Sequence, residues 1–241
     1  MGLDWHFFLD DPGGTYSSYL EWLLSAWGWT ITVAISGLVI ALAAGTAIGI
    51  LRTLPSQPIL RKLGNGWVEL FRNIPLLVQI FLWYYVVPAL VPAAKQLPGV
   101  VLAVFALALF TSARVAEQVK SGIQAQPRGQ RLAAMALGMN TLDVYRYVLM
   151  PAAFRVIIPP LTSETMNIVK NSSVAFAVSV PELTSFAMQA QEETSRGVEI
   201  YLAVTALYVI SALAINGLMG QIERRIRIPG RSAAILQGRG A

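Results

Sequence analysis

The sequence contains no cysteine and only one histidine, His6, among its 241 residues. Without cysteine, disulfides and thiolate metal sites are impossible. The single histidine and the lack of an H-E-x-x-H motif leave little for metal or nucleophilic catalysis, which disfavours a membrane enzyme. No G-x-x-x-x-G-K-[ST] segment is present either, so no metal, cofactor or nucleotide site is predicted in this chain.

Charged residues are also scarce, at 13% of the chain against about 25% in a typical soluble protein. Hydrophobic residues make up 55% of the sequence. The acidic start, MGLDWHFFLDDPGG, lacks the basic region and short apolar core of a cleavable secretory signal, so none is expected. This composition indicates a protein that lives in the lipid bilayer.

A helix that spans a bilayer needs about 20 apolar residues, and five stretches meet or approach that length. Three are free of charge, and they lie between Glu21 and Arg52, between Arg72 and Lys95, and between Glu199 and Glu223. Two are weaker, LPGVVLAVFALALFTSA and LTSETMNIVKNSSVAFAVSV. The sequence therefore predicts an all-α, polytopic membrane protein. Its five transmembrane helices lie within residues 22–222, between an outer segment, 1–21, and a basic cytoplasmic tail, 223–241.

The distribution of basic residues predicts the orientation. The segments after the first and third spans and the tail after the fifth hold 13 of the 18 Lys and Arg residues. By the positive-inside rule these segments face the cytoplasm, and the amino terminus lies outside. The net charge of +5 therefore reflects topology, and no nucleic-acid partner is predicted.

The longest predicted cytoplasmic loop, 123–158, contains QRLAAMALGMNTLDVYRYVLMP. Leu132, Met135 and Met139 recur at helical spacing, Gly138 loosens the end of this first helix, and Asn140 is a good N-cap for a second. Leu142, Tyr145 and Leu149 give the second helix an apolar stripe, which Pro151 is predicted to end. Such a pair either rests on lipid headgroups or docks a soluble partner, and periodicity does not separate these alternatives.

The segment from Leu132 to Pro151 resembles the EAA loop of ABC-importer permeases, E-A-A-x-x-x-G-x(9)-I-x-L-P. Ala133, Ala134, Gly138 and Pro151 match the pattern, and Val148 stands at the isoleucine position. Leu132 replaces the glutamate and Met150 the leucine. The segments VELFRNIPLLVQIFLWYYVVP, QAQPRGQ and NIVKNSSVAFAVSVPEL resemble the polar amino acid branch of the same family, closest to glutamate/aspartate import permeases.

This resemblance implies a type I ABC importer permease in the bacterial inner membrane. Its partners would be a second permease subunit, two ATP-binding subunits that hydrolyse ATP, and an amino-acid-binding protein outside. The residues implied in ATPase coupling are those of the EAA loop, namely Leu132, Ala133, Ala134, Gly138, Met139 and Pro151.

Polar residues inside the predicted spans are the candidates for a substrate pathway, since burying them in lipid is costly. These are Gln79, Arg114, Glu117, Lys170, Asn171 and Ser172. Arg114 suits a carboxylate ligand, although an ion pair with Glu117 at i, i+3 is the alternative. Asn171 stands where relatives often have aspartate, and its neutrality favours an anionic substrate, although an interhelical hydrogen bond is the alternative role. Gln79 is either a ligand donor or an interhelical hydrogen bonder, and Ser172 either contacts substrate or bonds back within its helix.

The predicted function is therefore inward transport of glutamate and aspartate by alternating access. A neutral polar substrate such as glutamine remains an alternative within the same family. An ATPase-independent secondary transporter is a further alternative, but the spans hold few ionisable groups for ion coupling.

Overall fold

The computed structural model describes residues 3–226, which form helices and no strand. Eight helices are numbered here in chain order: α1 (Tyr19–Leu51), α2 (Pro58–Asn73), α3 (Leu76–Leu90), α4 (Gly99–Gln124), α5 (Arg128–Ala136), α6 (141–171), α7 (Leu183–Thr194) and α8 (Gly197–Ile226). Short 3₁₀ helices cover His6–Leu9, Pro92–Gln96 and Ser172–Val178. The all-α prediction is confirmed. Residues 227–241, most of the predicted basic tail, lie outside the described residues.

Three helices, α1, α4 and α8, are long and apolar enough to cross a membrane, and the bent pair α2–α3 adds a fourth if it counts as one span. The fourth predicted span in chain order, LTSETMNIVKNSSVAFAVSV, covers the end of α6 and the 3₁₀ segment after it, and α6 does not meet that criterion among the described residues. Its sequence contains Arg155, Glu164 and Lys170, which lower its hydropathy. The number five and the orientation of the termini remain predictions. The end of the bundle that holds Tyr19 and Gly99 is called the outer end below, and the end that holds Leu51 and Gln124 the inner end.

Helix α4 is the centre of the bundle, and small residues on α1 let the two helices approach closely. Gly37, Ala41, Gly45 and Gly49 repeat every four residues and lie on one face of α1. A Cβ atom on Gly45 would lie 2.6 Å from Cβ of Val115 and 2.7 Å from the carbonyl oxygen of Ser112. Helices α1 and α4 therefore approach each other so closely that position 45 requires glycine.

Two helices lie where the sequence predicted loops. Helix α2 turns by 105° into α3. Its Gly64, Trp67, Val68 and Phe71 lie on one face at helical spacing, and Trp67, Val68 and Phe71 pack against α4 and α1. Helix α7 lies in the predicted outer loop. Both carry an apolar pattern at i, i+3, i+4, i+7, which is typical of an amphipathic helix, but each is too short to be predicted as a transmembrane span.

The amino-terminal segment is packed onto the outer end rather than free of it. Phe7 is buried in an aromatic cluster with Tyr19 and Phe186. Asp4 pairs with Arg196, whose guanidinium holds the pKa of the Asp4 carboxyl below its usual range. The first helix begins at Tyr19, with Ser18 as N-cap, so the last three residues of the predicted outer segment 1–21 lie in its first turn.

Candidate functional site

The N-cap predicted at Asn140 is confirmed, and the first helix of the loop ends just before Gly138, as the sequence predicts. Helix α5 ends in a Schellman motif: Gly138 has φ +82°, its N–H donates to Met135 O, and the Met139 N–H donates to Ala134 O. The Asn140 side chain then accepts a hydrogen bond from the Asp143 N–H at 3.0 Å, as an N-cap does. The two helices of the loop are therefore separated by a turn that local sequence encodes.

Pro151 does not end the second helix, and that prediction was wrong. The helix widens into a π-helical segment, Val144–Leu149, and continues as an α-helix from Met150 to Asn171. In the wider turn the Met150 N–H donates to Tyr145 O, five residues earlier. Because π geometry moves the preceding carbonyls, the proline ring fits without breaking the helix. The loop therefore connects directly to α6.

Most of the predicted coupling residues lie on an exposed apolar surface of this loop. Leu132, Ala133, Gly138 and Pro151 are exposed, and Met139 is partly buried. Ala134 faces the other way, buried among Val144, Tyr145 and Leu149. The exposed surface continues through residues that were not singled out as coupling residues, notably Leu137, which is 84% exposed, and Tyr147, which is 62% exposed.

Arg114 and Glu117 do not form the intrahelical pair that was one alternative. Glu117 instead binds Arg52 of α1, with Nη2 and Oε1 2.7 Å apart, and Arg52 Nε donates to Asn65 Oδ1 of α2 at 2.8 Å. The Arg52 side chain is only 4% exposed. Glu117 thus joins α4 to α1 and α2 at the inner end, and sequence spacing carried no signal for a partner 65 residues away.

Arg114 lies on another side of α4, facing α6. Its Nη1 is 3.9 Å from Oε1 of Glu164, its guanidinium lies 5.1 Å from the centre of the Phe110 ring, and its side chain remains 42% exposed. Gln118, one turn along, donates to the same Glu164 oxygen at 3.2 Å. The Arg114 guanidinium is therefore accessible to solvent, and its ion pair with Glu164 is long and weak.

Gln79 and Ser172 use their polar groups inside the fold. Gln79 is 2% exposed, and its Nε2 donates to Phe71 O at 2.8 Å and Ile74 O at 3.0 Å, across the bend between α2 and α3. Ser172 is buried, and its hydroxyl donates back to Val169 O at 2.7 Å. In this conformation neither side chain presents its hydrogen-bonding groups to a pathway.

Lys170, unlike Gln79 and Ser172, is exposed, and it lies in a line of side chains along α6 and the 3₁₀ segment after it. On α6, Ser163, Asn167 and Lys170 share a face at i, i+4, i+7. Beyond Asn171, which is half-buried, the 3₁₀ helix repeats every three residues, so its side chains continue in line with Lys170. We call this the polar row, and its members are Ser163, Asn167, Lys170, Ser173, Phe176 and Ser179.

The polar row is accessible along its length and leads to a cavity at the outer end. Ser163, Lys170, Phe176 and Ser179 are exposed, and Asn167 and Ser173 are half-buried. Among the described residues Lys170 takes part in no ion pair. The cavity holds about 280 Å³ and lies between the 3₁₀ segment and α7. Sequence reasoning singled out Lys170 but missed Ser163, Asn167 and the cavity, since the change from 3.6 to 3 residues per turn is not visible in the sequence.

Several known proteins share this sequence pattern and this architecture. Residues 37–228 match the family described as binding-protein-dependent transport system inner membrane component. The chain is 40% identical to the glutamate/aspartate import permease protein GltJ of Escherichia coli, over 95% of this chain and 98% of that protein. It is 30% identical to the probable glutamine ABC transporter permease protein GlnM of Bacillus subtilis, over 82% and 89%.

Solved structures agree with the sequence relatives. The crystal structure of an amino acid ABC transporter with histidines matches 93% of this chain and 100% of its own, with TM-score 0.77 and 30% identity. An inward-facing structure of the MetNI methionine ABC transporter matches 86% and 96%, with TM-score 0.72 and 19% identity, which shows a shared fold. The chain therefore belongs to the family of binding-protein-dependent inner membrane components, the amino acid permease subunits of ABC importers.

Proposed function

We propose that this permease passes acidic amino acids, glutamate and aspartate, into the bacterial cytoplasm by alternating access along the polar row. A second permease subunit would complete the pathway, and ATP-binding subunits docked on the 123–158 loop would supply the energy. The observation that carries the proposal is the exposed cation Lys170 in the middle of that row, which forms no ion pair within residues 3–226.

The positive charge of Lys170 would stabilise an anionic substrate on its way through the membrane. An amino acid with an acidic side chain carries a net charge of −1 and loses hydration as it crosses the hydrocarbon layer. Lys170 offsets that loss, and Arg114 on the neighbouring helix adds a second positive charge whose balance by Glu164 is loose at 3.9 Å. A neutral substrate such as glutamine gains less from these charges.

The relatives support the same choice. GltJ, whose name includes glutamate and aspartate, is 40% identical over nearly the whole chain. The probable glutamine permease is 30% identical over a shorter part, and a second glutamate/aspartate permease, GltK, is 27% identical. Family membership also favours ATP-driven import over an ion-coupled secondary transporter.

Replacing Lys170 with alanine is expected to reduce glutamate uptake by about ten- to hundredfold, because one charge-assisted contact is lost. Lys170→Arg keeps the charge and is expected to retain most uptake. The measurement is ATP-dependent uptake of labelled glutamate, aspartate and glutamine by the complete transporter in proteoliposomes. Lys62→Ala, which removes an exposed cation of α2 away from the polar row, is the matched control.

The pattern across substrates decides between the alternatives. Equal loss of glutamate and glutamine uptake in Lys170→Ala would contradict a role in selecting anions. Faster uptake of glutamine than of glutamate by the unmodified transporter would favour the neutral substrate. Uptake without ATP, driven by an ion gradient, would favour the secondary transporter.

The exposed apolar surface of the loop supports docking of the ATP-binding subunits. Leu132, Leu137 and Leu142 are each at least 66% exposed in this chain, next to Met135 and Tyr147. Apolar patches of this kind on a cytoplasmic segment mark contact sites. Leu132 takes the position of the family's glutamate, so this contact is more apolar than the usual one.

A thiol placed at Leu137 is expected to crosslink to the ATP-binding subunit. The chain has no cysteine, so Leu137→Cys carries the only thiol of this subunit, to which a photoactivatable reagent can be attached. Ala134→Cys, one turn away but buried, is the matched control and should label poorly. Crosslinks from Leu137→Cys to lipid alone would instead show that the loop rests on headgroups.

A further inference from the structure

The cavity at the outer end of the polar row has one wall on α7. Ser185, Met188, Gln189 and Glu192 line it and share a face at i, i+3, i+4, i+7. The opposite face of α7 carries Phe186, Ala187 and Ala190, which are buried in the outer aromatic cluster. This wall is therefore held rigidly against the rest of the bundle.

The other wall is the end of the 3₁₀ segment, with Phe176 and Ser179. Ser179 adopts a left-handed backbone, with φ +60°, which residues other than glycine rarely do. The chain turns sharply there towards α7, and the turn opens the cavity at the point where the polar row ends. Phe176 and Ser179 belong to both features, so the cavity and the row are continuous.

The polar lining of the cavity includes a carboxylate and an amide oxygen, both of which accept hydrogen bonds. Glu192 is the only charged residue of the lining, and among the described residues it makes no hydrogen bond or ion pair. Gln189 donates one N–H of its Nε2 to Ser185 Oγ at 2.8 Å, and its carbonyl oxygen accepts no hydrogen bond among the described residues. The partly exposed Phe176 ring offers a further surface that attracts cations.

We propose that this cavity is an entry site that binds the α-ammonium group of an arriving amino acid through Glu192, Gln189 and Phe176. The inference rests on the proposed function. A carboxylate, an amide oxygen and an aromatic face all attract a cation and none attracts a carboxylate. The site recognises the part that all amino acids share, and it leaves discrimination of the side chain to Lys170 and Arg114.

The entry site and Lys170 are two separate binding positions along the polar row. Lys170 lies near the end of α6 and Phe176 in the 3₁₀ segment, so rises of about 1.5 Å and about 2 Å per residue place the Phe176 backbone about 11 Å beyond that of Lys170. An amino acid held by its ammonium group at the cavity would next present its carboxylates to Lys170. Opposite charges at the two ends of this interval would keep it oriented.

A single thiol in the cavity tests the site directly. Met188→Cys is about half exposed in the lining and can be labelled with a maleimide in the complete transporter in nanodiscs. Glutamate and glutamine are expected to slow labelling, whereas glutarate, which lacks the ammonium group, should not. Adding Glu192→Gln is expected to raise the glutamate concentration needed for protection by about ten- to hundredfold.

Glu193→Gln in the Met188→Cys background is the matched control, because Glu193 faces Tyr19 and accepts its hydroxyl at 3.0 Å. Equal protection by glutarate, or protection unchanged by Glu192→Gln, would overturn the entry site. Protection that requires the binding protein and no amino acid would identify a docking surface instead. ATP-dependent glutamate uptake without protection contradicts the entry site alone, and protection without selective uptake of acidic amino acids contradicts the proposed function alone.

Discussion

Replacing Glu117 with alanine is expected to destabilise the bundle by about 3–5 kcal/mol, the usual cost of leaving a buried charge without its partner. The Arg52 side chain is 4% exposed, and its two partners in the described chain are Glu117 at 2.7 Å and Asn65 at 2.8 Å. Cγ of Arg52 would also lie 2.6 Å from a Cβ on Gly64, so the stem is tightly packed. Without Glu117 the guanidinium keeps its place but loses its counter-charge.

Glu117 itself is about one third exposed, so partial hydration moves the expected value towards the lower end of that range. The measurement is thermal unfolding in detergent, followed by the loss of monodisperse protein on size exclusion. The double variant Arg52→Met with Glu117→Leu removes both charges and is expected to recover most of the loss. Glu69→Ala, an exposed acid of α2, is the control.

An unchanged melting temperature in Glu117→Ala, together with lost substrate selectivity, would contradict the structural role and return Glu117 to the substrate pathway. The double variant separates these roles further. A substrate ligand cannot be replaced by leucine without loss of transport, whereas a structural ion pair often can.

Replacing Glu182 with alanine is expected to release the amino-terminal end of α7 and to cost about 2–4 kcal/mol, because α7 loses its N-cap and the Tyr208 hydroxyl loses its carboxylate acceptor. Glu182 is fully buried. Its carboxylate accepts the N–H groups of Thr184 and Ser185, both at 2.9 Å, and the hydroxyl of Tyr208 on α8 at 3.0 Å. One side chain therefore caps α7 and ties it to α8.

Amide hydrogen exchange of the complete transporter measures this effect. In Glu182→Ala the amides of α7 are expected to exchange faster, while those of α4 stay protected, because α4 does not depend on this contact. Glu182→Gln keeps one acceptor oxygen and should have an intermediate effect. Tyr208→Phe removes the tie to α8 and keeps the cap, so a loss of protection equal to that of Glu182→Ala would contradict the capping role.

Local sequence signals predicted local structure well. Gly138 and Asn140 predicted the turn between the two loop helices, and the backbone hydrogen bonds there follow the predicted caps. Long uncharged stretches predicted α1 and α8, since a helix that buries apolar residues all round has no other stable environment. The EAA spacing indicated the family that the comparisons show.

The partners of buried polar residues could not be predicted in this way. Glu117 had a cation three residues away on its own helix, yet it binds Arg52, because the two helices cross there and the side chains of Arg114 and Glu117 point to different neighbours. The sequence did not distinguish a ligand role from a structural role for Gln79. In the structure the 105° bend between α2 and α3 places Phe71 O and Ile74 O within hydrogen-bond distance of its amide.

By itself the sequence determined the helical class, the loop caps and the family, because these follow from composition, short-range hydrogen bonding and spacing along one chain. Only the tertiary structure decided which charges are paired and which stay open: Glu117 is held by Arg52, whereas Lys170 stands exposed on the polar row. It also determined that Pro151 does not end the helix, because a π-helical turn accommodates the proline inside α6. The physical reason is the same in both cases. Pairing and helix continuation depend on which backbones and side chains from distant segments occupy the neighbouring space, and spacing along one chain does not record that.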